Sequence, residues 1–199
     1  MVRWEPDAKG RLQRAALELY GERGFEATTV QDIAERSGVT ERTFFRHFAD
    51  KREVLFDGSN LLQNGMVGAL SEAPASAGPM QLIVAMLEAA GGFFDGRHEY
   101  SKQRAAVIDV NQGLMERELL KLSTMSSAIA AELQSRGIQA EAAALAADLG
   151  VALFHGAFRR WVQGDDGIEF SQRVRETLAE FAVLAAEVAA PQAAANVRR

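Results

Sequence analysis

Four closely spaced side chains carry the most legible chemistry of this 199-residue chain: Arg42, Thr43, Arg46 and His47. All can donate hydrogen bonds and none is a carboxylate, so together they suit a partner lined with phosphate oxygens and base edges. Read at the helical period, Phe44 and Phe48 share one face, these four residues spread over the opposite arc, and Phe45 sits on the flank between. Burying the phenylalanine face turns the donors toward solvent.

The surrounding residues supply the elements that hold this arc in place. Thr29 can cap a helix by accepting an orphan backbone N–H, with Asp32 three residues on completing a box-like pattern. Val30, Ile33 and Ala34 form that helix's apolar stripe, and Ser37-Gly38 ends it, since glycine tolerates the left-handed backbone that closes a helix. Thr40 can cap the next helix, with Glu41 in its first turn to suit the dipole. Two short helices joined at a glycine turn are the skeleton of a helix-turn-helix, whose second helix enters the DNA major groove. Upstream, Leu12, Ala15, Ala16, Leu19 and Tyr20 recur at helical spacing between Asp7 and Arg23, Gly24 ends that helix, and Phe25 turns back as a core plug.

The run Gly24-Phe25, Thr28-Thr29-Val30, Ile33-Ala34, Ser37-Gly38-Val39-Thr40, Thr43-Phe44-Phe45-Arg46-His47-Phe48 and Lys51 closely resembles the DNA-binding domain of TetR-type (tetracycline-repressor-like) transcription regulators, over roughly the first quarter of the chain. The resemblance implies an all-α fold, with a three-helix helix-turn-helix head at residues 1–52 and a helical ligand-sensing and dimerisation body at 53–199. It also implies a homodimeric repressor that binds a palindromic DNA operator and is released by a small-molecule effector. The alternative is a ligand-binding helical protein of the same fold that acts as an activator, or through protein partners without specific operator binding. Carried over residue by residue, Thr29, Thr40, Phe45, His47 and Lys51 fall at phosphate or sugar contacts, and Arg42, Thr43 and Arg46 at base edges. Two positions depart from the pattern. Family members usually have tyrosine where this chain has Phe45, and many have glycine where it has Arg42, which moves the expected contacts from a phenolic hydroxyl toward guanidinium.

Composition agrees with a helical body. The chain is 48% apolar, has four prolines and no cysteine, and shows no alternating segment that would make a strand. The lack of cysteine excludes disulfides and thiolate metal sites. Net charge is −5, but its distribution is uneven: five Lys or Arg face two acids between Arg36 and Arg52, whereas twelve basic and sixteen acidic residues follow from Gly58 onward. Positive charge gathered at one end suits a protein that touches nucleic acid there only. Met1 to Pro6 lacks the apolar core of a signal peptide, and the uncharged run from Leu149 to Phe158 is too short to cross a bilayer, so a cytoplasmic protein without membrane association is expected. No enzyme is expected: there is no G-x-S-x-G elbow, no glycine-rich phosphate loop after a strand and no thiol nucleophile. His47, His98 and His155 have no metal-ligand spacing, so neither metal nor cofactor is expected.

Further along, Asp50 is expected to cap one long helix from Lys51 to about Leu70, with Val54, Leu55, Leu61, Leu62 and Met66 as its stripe. The spacing then predicts a loop from Glu72 to Pro79 and helices over 80–94 (weakened by Gly91-Gly92), 98–111, 113–136, 141–163 and 171–189, the third with a stripe of Leu114, Leu119, Leu122, Met125, Ile129 and Leu133. The helix over 141–163 is apolar on nearly every side, so one of its covers is expected to be another subunit. Leu145, Leu149, Leu153, Trp161, Val174, Leu178, Phe181 and Ala185 are the expected dimer seam. The resemblance implies an effector cavity among the middle helices, here expected from Phe93, Phe94, Tyr100, Arg104, Ile108, Met115, Met125, Phe154 and Phe158, for an unknown small apolar or amphipathic molecule whose carboxylate Arg104 could fix.

Overall fold

A computed structural model describes residues 7–94, 96–165 and 167–189, and the arm residues Arg3 and Trp4 and the tail from Pro191 lie outside that range. Ten helices are described: α1 (Ala8–Arg23), α2 (Val30–Ser37), α3 (Glu41–His47), α4 (Glu53–Phe56), α5 (Ser59–Glu72), α6 (Pro79–Phe94), α7 (His98–Asp109), α8 (Gln112–Ser135), α9 (Ala140–Gln163) and α10 (Phe170–Ala189). No strand occurs among the described residues, so the fold is all-α.

The helices belong to two compact units, one from Met1–Gly65 with Arg97–Ala128, the other from Met66–Gly96 with Ile129–Arg199. The first unit closes around Leu12, Leu19, Phe44 and Phe56, each almost wholly buried, with Phe25 and Phe48 beside them. Val54, Leu55 and Phe56 of α4, Val107 and Ile108 of α7, and Leu114 of α8 complete that core. This is why the expected boundary after residue 52 falls inside the first unit rather than at its edge.

The expected long helix over 51–70 is two helices. α4 stops at Phe56, whose carbonyl accepts the Ser59 hydroxyl at 2.6 Å, and α5 restarts at Ser59. Asp57 is drawn aside by the Lys9 ammonium at 2.8 Å and the Gln13 amide at 3.3 Å, and Gly58 follows. The break shifts the stripe: Phe56 is buried instead, and Leu61 is 63% exposed. Asp50 does serve as a cap, its Oδ1 accepting the N–H groups of Arg52 and Glu53 at 2.8 and 3.0 Å. On α8, Leu119 also leaves the expected stripe and lies in solvent, while Leu114, Met125, Ile129 and Leu133 are buried.

In the second unit, α9 lies against α6 and α10. By length and composition α9 is apolar enough to span a bilayer, which the shorter run from Leu149 to Phe158 concealed. It is instead a core helix: Ala143, Ala147, Leu153, Phe154, Ala157 and Trp161 are buried. Phe94, Phe154, Phe158, Trp161 and Phe170 form an aromatic cluster, with ring centroids as close as 4.7 Å between Phe94 and Phe170. Leu153, Trp161 and Val174, expected at a dimer seam, are therefore already covered within the chain, the last two to 3% and 1% exposure. Leu149, Leu178 and Phe181 are half-buried, and Leu145 and Ala185 are exposed, beside Val183, Leu184 and Val188. Gly91 of α6 has a packing role: a Cβ there would come within 3.1 Å of the Ser171 Cβ, so the glycine admits the first turn of α10. Gly150 plays the same part, since a Cβ would meet Ile83 Cδ1 at 3.0 Å and Met86 Cε at 3.1 Å.

That close approach sets an expected outcome. Gly150→Val inserts branched carbon where α6 already touches α9, and overpacking of this kind costs about 1–3 kcal/mol. Denaturant unfolding should show the loss, and a valine variant as stable as the parent would contradict the packing described.

Candidate nucleic-acid interface

The exposed arc of α3 is built from local chemistry. The Thr29 hydroxyl accepts the Asp32 N–H at 3.1 Å, and Asp32 Oδ2 accepts the Thr29 N–H at 2.8 Å, a reciprocal capping box that starts α2. Gly38 closes α2 at φ 68°, in the left-handed region, and sets the turn into α3. There the Thr40 hydroxyl accepts the Thr43 N–H at 3.2 Å. Phe44, fully buried, and Phe48 anchor the inner face of α3, so Arg42, Phe45 and Arg46 are exposed and Thr43 and His47 half-exposed. This is the arc expected from the sequence.

The head's cations divide sharply by what they touch. Lys9 pairs with Asp57, Arg23 with Asp32 at 3.3 Å, and Arg52 with Asp50 at 3.1 Å. Arg36 forks onto Glu22 at 2.9 and 3.0 Å and reaches Glu18 at 3.4 Å, which pulls the Glu22 carboxyl below its ordinary value through the guanidinium hydrogen bonds. Arg11 Nε donates to the Ser37 carbonyl at 3.1 Å, and Arg14 lies 4.0 Å from Asp7. Arg46 has only a long contact, 3.5 Å, to His47 Nε2. Among the Lys and Arg residues of 8–56, Arg42 alone makes no hydrogen bond or ion pair to the described residues. Much of the positive charge counted between Arg36 and Arg52 is therefore matched internally, and what remains unmatched is concentrated on α3.

Two of the eight expected contact residues are committed elsewhere. The Lys51 ammonium donates to the carbonyls of Phe25, Glu26 and Thr28 at 2.9, 3.2 and 3.0 Å and stands 4.4 Å from the Phe25 ring centroid. All three of its protons are used, so it is a clamp on the α1–α2 turn rather than a phosphate contact. The Thr29 hydroxyl gives its one proton to Asp32 Oδ2 at 2.6 Å and has none left for a phosphate oxygen. The Thr40 and Thr43 hydroxyls lie 3.1 Å apart and share one hydrogen bond, which leaves one proton between them for a ligand.

Tyr20 and Thr28 were not singled out from the sequence as site residues, yet they complete the Lys51 clamp. The Tyr20 hydroxyl donates to the Lys51 carbonyl at 2.6 Å, and burial, with the Asp50 charge adding, pushes its phenol far above the ordinary range. The wholly buried Thr28 donates to the Gly24 carbonyl at 2.9 Å. No short-range pattern marks these partners, because they lie up to 31 residues apart.

The nine expected effector residues fall into both units: Tyr100, Arg104, Ile108, Met115 and Met125 in the first, Phe93, Phe94, Phe154 and Phe158 in the second. Arg104 is not available to a ligand carboxylate. It forks onto Glu118 at 2.6 and 3.1 Å, donates to the Leu55 carbonyl at 2.6 Å and covers the Phe56 ring. An open cleft of about 860 Å³ in the first unit, lined by Tyr20, Phe25, Gln103, Val107 and Val110 among others, includes none of the nine. No group of three or more metal-ligating side chains occurs among the described residues.

A capped helix, a left-handed glycine turn and a second helix with its donors outward define a helix-turn-helix. The sequence profile of the bacterial regulatory proteins of the tetR family matches residues 12–57, from within α1 through α4. The HTH-type transcriptional regulator TcmR of Streptomyces glaucescens is 43% identical over 75 residues, which are 38% of this chain and 33% of TcmR, so the chain spans about a third of that relative's length. The HTH-type transcriptional activator FasR of Mycolicibacterium smegmatis is 27% identical over 179 residues, covering 86% of this chain and 80% of FasR. Among solved structures, the transcriptional regulator FadR from Bacillus subtilis, in complex with stearoyl-CoA, shares the fold with a TM-score of 0.60 at 16% identity, over 85% of this chain and 95% of that one. Residues 12–57 carry the helix-turn-helix head of the tetR family of bacterial regulatory proteins.

The clamp and the cap each lead to a measurement. Lys51→Met keeps the aliphatic stem but leaves three carbonyls without their donor, so the head should lose about 1.5–3 kcal/mol in denaturant unfolding. A variant of unchanged stability would return Lys51 to the list of ligand contacts. The Thr29 hydroxyl and backbone N–H, aided by Arg23, hold the Asp32 carboxyl below its ordinary value. Its contribution is thus present above the unfolded carboxylate range and lost as pH falls through the lower folded value. In an acid titration followed by circular dichroism, Thr29→Ala should flatten that limb, and an unaltered limb would contradict the assignment.

Proposed function

We propose that the protein is a DNA-binding transcription regulator whose α3 enters the major groove of an operator. The observation that carries this reading is the distribution of the head's cations, most of which are tied to protein carboxylates or carbonyls while Arg42 and Arg46 face outward. An unpaired arginine on a rigid helix is primed for phosphate and base edges, where charge-assisted bonds are strongest. Arg42, Thr43 and Arg46 take base edges, while Thr40 and His47 meet the backbone or its sugars.

The operator is palindromic and the protein acts on it as a homodimer, because one seven-residue helix reads too few bases for a specific site and paired heads double the readout. Leu145 of α9 and Val183, Leu184, Ala185 and Val188 of α10, exposed within a single chain, form the proposed dimer face. A small apolar or amphipathic effector releases the DNA by favouring the head spacing that does not fit. The stearoyl-CoA held by the Bacillus subtilis structure belongs to that chemical class and is the first molecule to try. Repression by occupancy is the primary reading. Activation from the same operator is the second, favoured by the match along most of the chain to a protein named as an activator.

Fluorescence anisotropy with the duplex beside the protein's own gene tests the DNA reading. Affinity should fall linearly in log–log terms with rising salt, with a slope of about −0.9 per phosphate neutralised. Arg42→Ala and Arg46→Ala should each weaken specific binding by about 1–3 kcal/mol. Sequence-specific binding unaffected by both substitutions would place the groove face elsewhere.

A further inference from the structure

We propose that each operator half-site carries two guanines, one or two base-pair steps apart on one strand, read by Arg42 and Arg46, with a neighbouring thymine whose methyl group meets Phe45. The inference rests on the DNA-binding reading above and deepens it.

Geometry limits the spacing. Arg42 and Arg46 stand four residues apart on α3, nearly in line on one face, so their attachment points are about 6 Å apart along the axis. A base-pair step advances about 3.4 Å along the duplex, and further along the curved path of the groove, so about 6 Å of helix spans one or two steps. Neither guanidinium is tied to a carboxylate or carbonyl of the described residues. Guanine is the base whose major-groove edge offers two acceptors side by side, N7 and O6, and the planar guanidinium fork matches that pair. Cytosine offers a donor there, adenine one donor with one acceptor, and thymine one acceptor with a methyl group. The carboxylate of α3, Glu41, lies on the flank shared with Phe45 and away from the two arginines.

Phe45 fits the same picture. It is 55% exposed on an otherwise polar surface, held edge-on to the buried Phe44 with ring centroids 5.4 Å apart. A bare phenyl ring cannot hydrogen-bond a phosphate, and the apolar feature of the major-groove wall is the thymine methyl group. Its place on α3, between the two arginines in sequence, puts that thymine within a step of the guanine pair.

The test uses the full chain and a randomised duplex library, followed by anisotropy on the enriched sequence. Enriched half-sites should hold the guanine pair at the stated spacing. Replacing either guanine by 7-deazaguanine, which removes N7 and keeps pairing, should weaken binding by roughly five- to a hundredfold. Both arginines are exposed, so their alanine variants keep the head folded, and each should relax the preference at one guanine only. Deoxyuridine in place of the thymine removes one methyl group and should weaken the parent protein about fourfold, with no further effect on Phe45→Ala. Enriched sites without a guanine pair, or indifference to 7-deazaguanine, would overturn the arginine assignment. Indifference of the parent to deoxyuridine would overturn the role of Phe45. No enrichment at any salt concentration would sink the DNA-binding reading itself, an outcome distinct from the other two.

Discussion

The head depends on how one turn satisfies its backbone. Between α1 and α2 the chain reverses with the carbonyls of Phe25, Glu26 and Thr28 directed toward Lys51, and a single ammonium answers all three. The bond is reciprocal in effect, because the Tyr20 hydroxyl holds the Lys51 carbonyl in turn. Residues that end α1, start α2 and follow α3 are thereby fixed to one another. A helix that reads a groove must be held to a fraction of an ångström, and side chains locked by a supporting layer supply that precision better than a loop can. Lys51 is therefore worth more to the interface as an internal strut than as one more surface charge.

The same principle explains why charge counting overstated the interface. Arg36 and Arg46 are indistinguishable in a composition window, yet Arg36 is spent on Glu22 and Glu18 while Arg46 is not. Exposed pairs of this kind add little stability. Their consequence is electrostatic: they cancel charge on α2 and leave the unmatched guanidinium groups on α3. The positive field is narrower than the sequence suggested and lies where α3 is turned outward by Phe44 and Phe48.

What could be read in the sequence was what depends on neighbours within one helical turn. The caps at Thr29 and Thr40, the stop at Gly38 and the inward face of Phe44 each involve residues at most four apart. The features that escaped depend on distant partners. Asp57, where the expected helix after α3 is interrupted, is held by Lys9 and Gln13 of α1, across a gap of 44 residues in the case of Gln13. Arg104 was legible as a cation on its helix, but its partner Glu118 sits on the next helix. Periodicity showed that α9 is apolar on nearly every side and could not say who covers each side. Trp161 is covered by Phe94 and Phe170 of its own chain, whereas Leu145 is left bare.

The segment after α3 depends most heavily on such distant contacts. α4 is four residues long, too short to hold its place by helix formation alone. It is tied instead by Arg104 at the Leu55 carbonyl, by Arg117 at the Glu53 carboxylate, and by Lys9 and Gln13 at Asp57 just beyond its end. Arg104 and Glu118 are mostly buried, 15% and 24% exposed. Separating α4 from α7 and α8 would break the Arg104–Leu55 and Arg117–Glu53 contacts together. Any displacement that reaches α3 through α4 must carry these segments as one packed body, with Val54, Leu55 and Phe56 held in the core they share with Val107, Ile108 and Leu114.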